Sequence, residues 1–411
     1  MTVEELDEWG VDFVRFCARF ADIFRRKEPR AQAVKYLRGL MASVSRKNSW
    51  QLAEAMGDRI PDATQRLLYH AQWSADAARD RLLRYTMEVF GEEDGIGVVD
   101  ETGFIKKGNR SVGVKRQYTG TAGKVENCQI GTFLSYATTR GHVLLDRRLY
   151  LPEEWANDLE RREQAKVPAD VVFQTKSVQA MAMLEHVWQA GVPMRWVAGD
   201  EVYGDSTDLR DLIARHERWY VLAVRTPTLV WTKRPQVVEP EPRDGLCPGR
   251  PRTKVRLAEG APSATPVKEV VARWPESRWQ RLTVAEGEKG LITYDWACQR
   301  VVESRDGLPG PDAWLVARRS LSDPSDIAYY LSNAPLDMPL LKLAQVASTR
   351  YTVEQCIEEA KGETGLDEYE VRYWHSWHRH ITLSMMAHAW LASVRYQATE
   401  KKGGLSPSWP S

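Results

Sequence analysis

The chain has 411 residues, 43% of them hydrophobic and 27% charged, as in ordinary globular proteins, and it holds no run approaching the roughly 20 consecutive apolar residues that a membrane helix needs. Its five cysteines are scattered without a C-x-x-C pair, which disfavours a structural zinc site and a disulfide framework. The net charge of +1 neither indicates nor excludes a nucleic-acid partner, because DNA binding depends on local basic surface.

Residues 1–90 have the pattern of helices. An apolar stripe with the spacing of one helix face comes first: Phe13, Phe16, Cys17 and Phe20. Two short helices follow, the first capped by Ser49 and ended by Gly57, the second beginning at Pro61. Together they have the outline of a helix-turn-helix, in which three polar side chains would face the DNA major groove: Gln65, Arg66 and His70. A plain helical bundle has the same outline, so both interpretations stay open.

Residues 91–225 change to a strand pattern. Short β-branched and aromatic runs predict strands at 95–100, 113–120, 129–136, 142–151, 195–199 and 219–225. Helical patterns are predicted at 177–189 and 208–216. The strands come first as a meander and then alternate with helices, which predicts an α/β fold with a mixed sheet flanked by helices on both faces.

Residues 226–335 interrupt this scheme. Prolines and glycines cluster at 227–262, and strand-like segments follow at 269–272, 280–284, 291–296, 314–318 and 327–332. We therefore predict a β-rich insertion. Within the next segment, 336–398, helix returns from about Pro339 to Tyr396, and 399–411 is predicted to be a flexible tail, rich in Gly, Pro and Ser.

Three acids stand out by their positions. Asp100 and Asp200 each follow an apolar strand, and carboxylates at the carboxyl ends of neighbouring strands point into one crevice. Glu354 lies in a predicted helix, four residues after Arg350 and seven before Lys361, so one helix face presents all three. Taken alone, that face is also typical of a solvated helix with ion pairs.

Three carboxylates suit one kind of chemistry in particular. Displacement at phosphorus is assisted by two divalent cations, which activate the attacking oxygen and stabilise the leaving oxygen. Mg²⁺ prefers hard oxygen ligands, so Asp and Glu side chains are the expected donors. Basic residues beside them would hold the flanking phosphates.

Two segments without acids carry the candidate DNA contacts. Six Lys or Arg occur in residues 104–124, and basic side chains, histidines and aromatics are combined in residues 371–399. The candidates are Lys106, Lys107, Arg110, Lys115, Arg116, Arg372 and Arg379. A solvated surface is the alternative interpretation of either run alone.

These residues together resemble the insertion-sequence transposases with an RNase H-like DDE core. Arg350, Glu354 and Lys361 have the spacing of the Y-(2)-R-(3)-E-(6)-K signature of one branch, whereas Ala347 stands at the tyrosine position. In that branch the tyrosine helps to hold the DNA end, so the resemblance does not extend to this contact. The three acids of the predicted metal site are not affected.

The two aspartates extend the resemblance over most of the chain. Asp100 in Val-Val-Asp-Glu-Thr-Gly and Asp200 in Gly-Asp-Glu-Val-Tyr-Gly are similar to the family's first and second aspartates. The family's β-rich insertion falls between the second aspartate and the glutamate, as the predicted insertion does here.

The resemblance implies a fold, an activity and its partners. We expect an RNase H-like sheet behind an N-terminal helical DNA-binding domain. Asp100, Asp200 and Glu354 are expected to hold two Mg²⁺ or Mn²⁺ ions for DNA cleavage and strand transfer, with Arg350 and Lys361 at the DNA. The expected partners are terminal inverted repeats, target DNA and a second copy of the chain, in the cytoplasm of a bacterium and at its nucleoid when bound to DNA.

Three other functions stay open on sequence grounds. The first is a domesticated protein that binds DNA without cutting it, which the intact trio of acids disfavours. The second is an RNase H-like nuclease without strand transfer. The third is a carbohydrate or ester hydrolase with paired carboxylates, which is disfavoured because no substrate-pocket pattern and no G-x-S-x-G motif accompany the acids.

Overall fold

The computed structural model describes residues 3–240, 254–287 and 290–401. The chain divides into two compact units, the first built from residues up to Trp196 and from Thr349 onward, the second from Val197–Ser348. The predicted tail begins inside the last helix, which continues to Lys401, and residues 402–411 lie outside the described part. None of the helices in the described ranges has the length and apolar character that crossing a membrane requires.

Among the described residues, five α-helices come first, and strands and helices then follow in mixed order. The helices are α1 (Val3–Ala18), α2 (Lys27–Met41), α3 (Ser49–Ala55), α4 (Asp62–Tyr69), α5 (Ala75–Phe90), α6 (Glu153–Asn157), α7 (Leu159–Gln164), α8 (Lys176–Gln189), α9 (Glu201–Gly204), α10 (Thr207–Arg215), α11 (Val267–Ala272), α12 (Leu340–Ser348), α13 (Arg350–Thr364) and α14 (Trp374–Lys401). The strands are β1 (Gly95–Ile105), β2 (Lys115–Thr119), β3 (Lys124–Thr138), β4 (Gly141–Tyr150), β5 (Met194–Gly199), β6 (Trp219–Val224), β7 (Leu229–Trp231), β8 (Val237–Val238), β9 (Arg256–Leu257), β10 (Thr265–Pro266), β11 (Gln280–Gly287), β12 (Gly290–Arg305), β13 (Leu308–Arg319) and β14 (Ile327–Ser332). The protein is therefore an α/β protein with a helical N-terminal region, as the sequence predicts.

The N-terminal helices form as predicted, with one different cap. The side chain of Asn48, not of Ser49, accepts hydrogen bonds from the backbone N–H groups of Trp50 and Gln51, both at 3.1 Å. Asn48 has the extended backbone of a capping residue, whereas Ser49 is already inside α3. Gly57 has a φ of +80°, the left-handed conformation predicted for it. Helices α2, α3 and α4 pack against one another, which builds the predicted pair of short helices into a three-helix cluster.

The sheet strands of the first unit form an antiparallel meander. Strand β3 pairs with β1, β2 and β4, with Asp100 opposite Phe133 and Phe133 opposite Arg147. Strand β1 continues five residues beyond Asp100, so the prediction that the strand ends there is wrong. It continues because the backbone stays paired to β3 as far as Ile105, and because Thr102 and Phe104 bury their side chains beyond Asp100. Helices α5, α8, α13 and α14 pack on these strands.

Strand β5 is the segment at which the chain passes from the first unit to the second. Within the second unit, β14 pairs with β6 and β13, β12 pairs with β13, β11 and β7, and β10 pairs with β7, all antiparallel. The buried carboxylate of Glu303 on β12 accepts hydrogen bonds from Arg210 of α10 at 3.1 Å and from Tyr220 of β6 at 2.9 Å. These contacts join α10 and β6 to β12.

One predicted strand of the insertion is a helix. Residues 269–272 belong to α11, in which Val267, Val270 and Val271 are buried. Their spacing places them on one face of a helix, which outweighs the strand preference of valine in so short a segment.

Candidate active site

Asp100 lies half-buried in the middle of β1. Its Oδ1 accepts a hydrogen bond from the backbone N–H of Glu101 at 2.7 Å. Because side chains alternate along a strand, Asp100 and Thr102 share one face of β1 and Glu101 lies on the other. Glu101 forms an ion pair with Lys176 at the start of α8. Asp100 and Glu101 therefore lie on opposite faces of β1. Glu101 pairs with Lys176, and Asp100 lies on the face that carries Thr102.

Helix α13 packs against that face of β1. The Lys361 ammonium donates a hydrogen bond to Thr102 Oγ1 at 2.7 Å, and burial lowers the pKa of Lys361. Seven residues are about two helical turns, so Glu354 lies on the same side of α13 as Lys361, about 10 Å nearer the helix start. Glu354 is exposed and accepts a hydrogen bond from Arg350. The predicted row of Arg350, Glu354 and Lys361 is thus formed, on a helix laid against the strand of Asp100.

Asp200 belongs to the second unit. It directly follows β5, as the sequence predicts, and its Oδ1 accepts a hydrogen bond from the backbone N–H of Val202 at 2.9 Å, which caps α9. The neighbouring Asp205 forms an ion pair with Arg225. Glu201 is exposed. Asp205 is therefore held by Arg225, and Asp200 is the acid that caps α9.

Divalent cations in proteins are held by clustered His, Cys, Asp or Glu side chains. Over residues 3–240, 254–287 and 290–401, no three His, Cys, Asp or Glu side chains lie close enough together to hold a metal ion. The chemistry of the three predicted ligands nevertheless suits Mg²⁺ or Mn²⁺, since all are carboxylates. The Glu354 side chain is 46% exposed and therefore accessible from solvent. The metal site stays a prediction.

The two acid-free segments meet in the first unit. The backbone N–H of Val112 donates to the carbonyl of Arg372 at 3.0 Å, and Lys106 Nζ donates to the carbonyl of Tyr369 at 2.9 Å. Lys106 also lies over the Tyr369 ring, 3.5 Å from its centroid, and burial lowers its pKa to about 8. Four of the predicted DNA contacts in these segments are exposed: Lys107, Arg110, Arg116 and Arg372. Lys115 is half-buried and pairs with Glu154 at 2.7 Å.

Arg379 lies in the interior, not on a surface. It is 9% exposed, and its guanidinium donates hydrogen bonds to the carbonyls of Leu68 at 3.0 Å, Ala71 at 2.6 Å and Trp73 at 3.1 Å. These are the carbonyls at and just beyond the end of α4, which the helix itself leaves unsatisfied. Arg379 therefore joins α14 to the N-terminal helices, and the expectation that it contacts DNA does not fit this position.

The N-terminal helices enclose a cleft of about 900 Å³ beside the predicted recognition helix. Arg66 and His70 of that region are exposed and line the cleft, whereas Gln65 is half-buried. The sequence interpretation did not include Arg25 and Arg26, which line the same cleft. The sequence signal for these two residues is the run Arg-Arg-Lys at the start of α2, a local excess of positive charge.

Fold and acids together define an α/β protein with carboxylates on β1, after β5 and on α13. Residues 19–291 match the family model described as DDE superfamily endonuclease. This match covers more than half of the chain, and the chain belongs to that family.

A relative in Microchaete diplosiphon is described as a probable transposase for insertion sequence element IS701. It is 25% identical over 198 residues, which cover 47% of this chain and 49% of the relative. The chain thus spans about half the length of the curated relative that it matches.

Two solved structures show weak likeness. A synaptic complex of piggyBac transposase with hairpin DNA aligns with 85% of this chain and 56% of its own, at 10% identity and a TM-score of 0.39. The NurA nuclease from Sulfolobus solfataricus aligns with 69% of this chain and 86% of its own, at 8% identity and a TM-score of 0.29.

Proposed function

We propose that this protein is a DNA transposase that binds the ends of its element and catalyses strand cleavage and strand transfer by cut and paste. Two observations support the proposal: the chain belongs to the DDE superfamily endonuclease family, and α13 lies against the strand of Asp100 with Glu354 on the side that carries Lys361. The second observation carries the proposal, because Asp100 and Glu354, which the resemblance gives as the first and third acids, belong to the same unit.

Asp100, Asp200 and Glu354 are the residues that would hold two Mg²⁺ or Mn²⁺ ions. When bound, such ions activate the attacking oxygen and stabilise the leaving oxygen of an in-line displacement. Arg350 neutralises Glu354 and offers its guanidinium to a DNA phosphate, since arginine can bind two acceptors at once. Lys361, fixed on Thr102, holds positive charge on the same helix face.

The proposed DNA surface combines two regions of the first unit. Lys107, Arg110, Arg116 and Arg372 provide exposed positive charge near β1, and the arginine-lined cleft provides it at the N-terminal helices. Contacts of this kind go to phosphates and are weakened by salt. The proposed partners are double-stranded terminal repeats, target DNA and a second copy of the chain, and the proposed location is the bacterial cytoplasm.

Cleavage of a plasmid that carries both ends of the element tests the proposal. The substrate is a plasmid that carries the DNA flanking the coding sequence on both sides, incubated with wild type or Glu354→Gln, in Mg²⁺ or in EDTA. The matched control is Glu358→Gln, which neutralises an exposed acid one turn further along α13. We expect cutting by wild type and the control in Mg²⁺, and none by Glu354→Gln or in EDTA.

Joining of the cut ends to a second plasmid separates a transposase from a nuclease. Products that join through a newly freed 3′-OH are expected. Cleavage without joining would replace the proposal by a nuclease function, and a mobility shift without nicking would replace it by DNA binding alone. Equal cutting by Glu354→Gln and wild type would remove Glu354 from the site.

A further inference from the structure

A half-buried polar cluster lies just over one turn beyond Glu354 on α13. The side chain of Glu359 is 20% exposed, and its Oε2 lies 3.1 Å from His142 Nε2, 2.9 Å from Arg395 Nη1 and 3.5 Å from His388 Nε2. Its Oε1 accepts a hydrogen bond from Gln355 at 3.0 Å. One carboxylate of α13 thus contacts both β4 and α14, all within the first unit.

The carboxylate is held in its charged form. Burial raises the pKa of Glu359, but the hydrogen bond from His142, the contact with His388 and the charge of Arg395 outweigh burial and hold that pKa well below its usual range. His388 is fully buried, and burial lowers its pKa, so its ring is neutral near pH 7. Among the described residues neither nitrogen of His388 makes a normal hydrogen bond, which leaves Glu359 as its nearest polar contact.

Lys361 and Glu359 hold α13 on two different sides of the helix. Five residues place Glu359 about 140° around α13 from Glu354, whereas seven residues place Lys361 within about 20° of it. Contacts on two different sides of a helix restrain its rotation more tightly than a contact on one side does. Lys361 fixes α13 to Thr102 of β1, and Glu359 fixes it to β4 and α14.

We propose that Glu359 is a positioning residue, which sets the rotation of α13 and thereby the direction of the Glu354 carboxylate. This inference rests on the proposed function, in which Glu354 is a metal ligand. Reacting groups misplaced by about 1 Å can lose on the order of 100-fold in rate, so a small rotation of α13 has a large effect. Neither Glu359 nor its partners need to touch metal or DNA.

The test compares Glu359→Gln with wild type and with Glu363→Gln. The control removes the other carboxylate that pairs with Arg395 and leaves the two histidines in place. Without DNA or metal, we expect faster hydrogen exchange over residues 350–357 in Glu359→Gln only. We also expect its affinity for Mn²⁺, followed by electron paramagnetic resonance, to fall about tenfold, together with DNA cleavage.

Outcomes for this inference and for the proposed function are separable. If wild type does not cut DNA in Mg²⁺ while Glu354→Gln behaves identically, the proposed function fails, and the exchange data still report on α13. If wild type cuts and Glu359→Gln retains its exchange rates, Mn²⁺ affinity and cleavage, Glu359 has no positioning role. If Glu359→Gln does not fold, Arg395→Gln replaces it, because Arg395 is 46% exposed. We expect the same changes in hydrogen exchange, Mn²⁺ affinity and DNA cleavage at smaller size. Their absence would overturn the inference.

Discussion

Replacing Arg379 by leucine tests whether this residue acts in the fold or at DNA. The substitution removes three hydrogen bonds to the carbonyls of Leu68, Ala71 and Trp73. A hydrogen bond to a charged group contributes about 1.5–3 kcal/mol, so the gross loss is several kcal/mol. The variant no longer buries a charge, which offsets part of this loss, and we expect unfolding free energy to fall by about 3 kcal/mol.

Urea unfolding of the DNA-free protein measures that change, with Arg372→Leu as the control at an exposed position of the same basic segment. We expect Arg372→Leu to unfold within about 0.5 kcal/mol of wild type and to bind DNA more weakly. Below its unfolding transition, Arg379→Leu should bind DNA like wild type. A stable Arg379→Leu variant with weakened DNA binding would refute the structural role and restore the predicted DNA contact.

Two further substitutions address charge in the first unit. Lys361→Met removes the ammonium that binds β1. We expect the free energy of unfolding in urea to fall by about 1–2 kcal/mol and DNA cleavage to slow more than tenfold. Unchanged cleavage would exclude Lys361 from the site. Burial raises the pKa of Asp146, but His186 at 3.2 Å and the charges of Arg79 and Arg147 hold it well below its usual range. A depressed pKa stabilises the fold above the unfolded value of about 4, and this stabilisation is lost as pH falls below it. Asp146→Asn should therefore lose about 3–5 kcal/mol at pH 7 and flatten the acid limb of stability against pH, and an unchanged limb would exclude Asp146 as its source.

Local periodicity was sufficient to predict most elements. Strand β5 and the position of Asp200 directly after it follow from a short apolar run with a clear end. The row on α13 follows from spacing alone, because the angle between two helix positions depends only on their separation. Membership of the DDE superfamily endonuclease family agrees with the resemblance carried by these residues.

Tertiary partners were not predictable in the same way. Arg379 has the same sequence surroundings whether its guanidinium faces DNA or the end of α4, and only packing decides between them. Glu359 looks like any acid of a solvated helix, since its partners His142 and His388 lie far away along the chain. The end of β1 was misplaced because polar residues interrupt its pattern while pairing with β3 continues.

Iron-directed cleavage of the polypeptide tests whether Asp100, Asp200 and Glu354 hold metal at one site. Fe²⁺ that occupies a Mg²⁺ site generates hydroxyl radicals with ascorbate and peroxide, and these cut the backbone near the ligands. If the three acids share one metal site, cuts are expected near Asp100, Asp200 and Glu354 together in the DNA-bound protein, all suppressed by excess Mg²⁺ and by Glu354→Gln. Cuts near only one of the three acids, or cuts elsewhere that Mg²⁺ suppresses, would contradict a shared metal site.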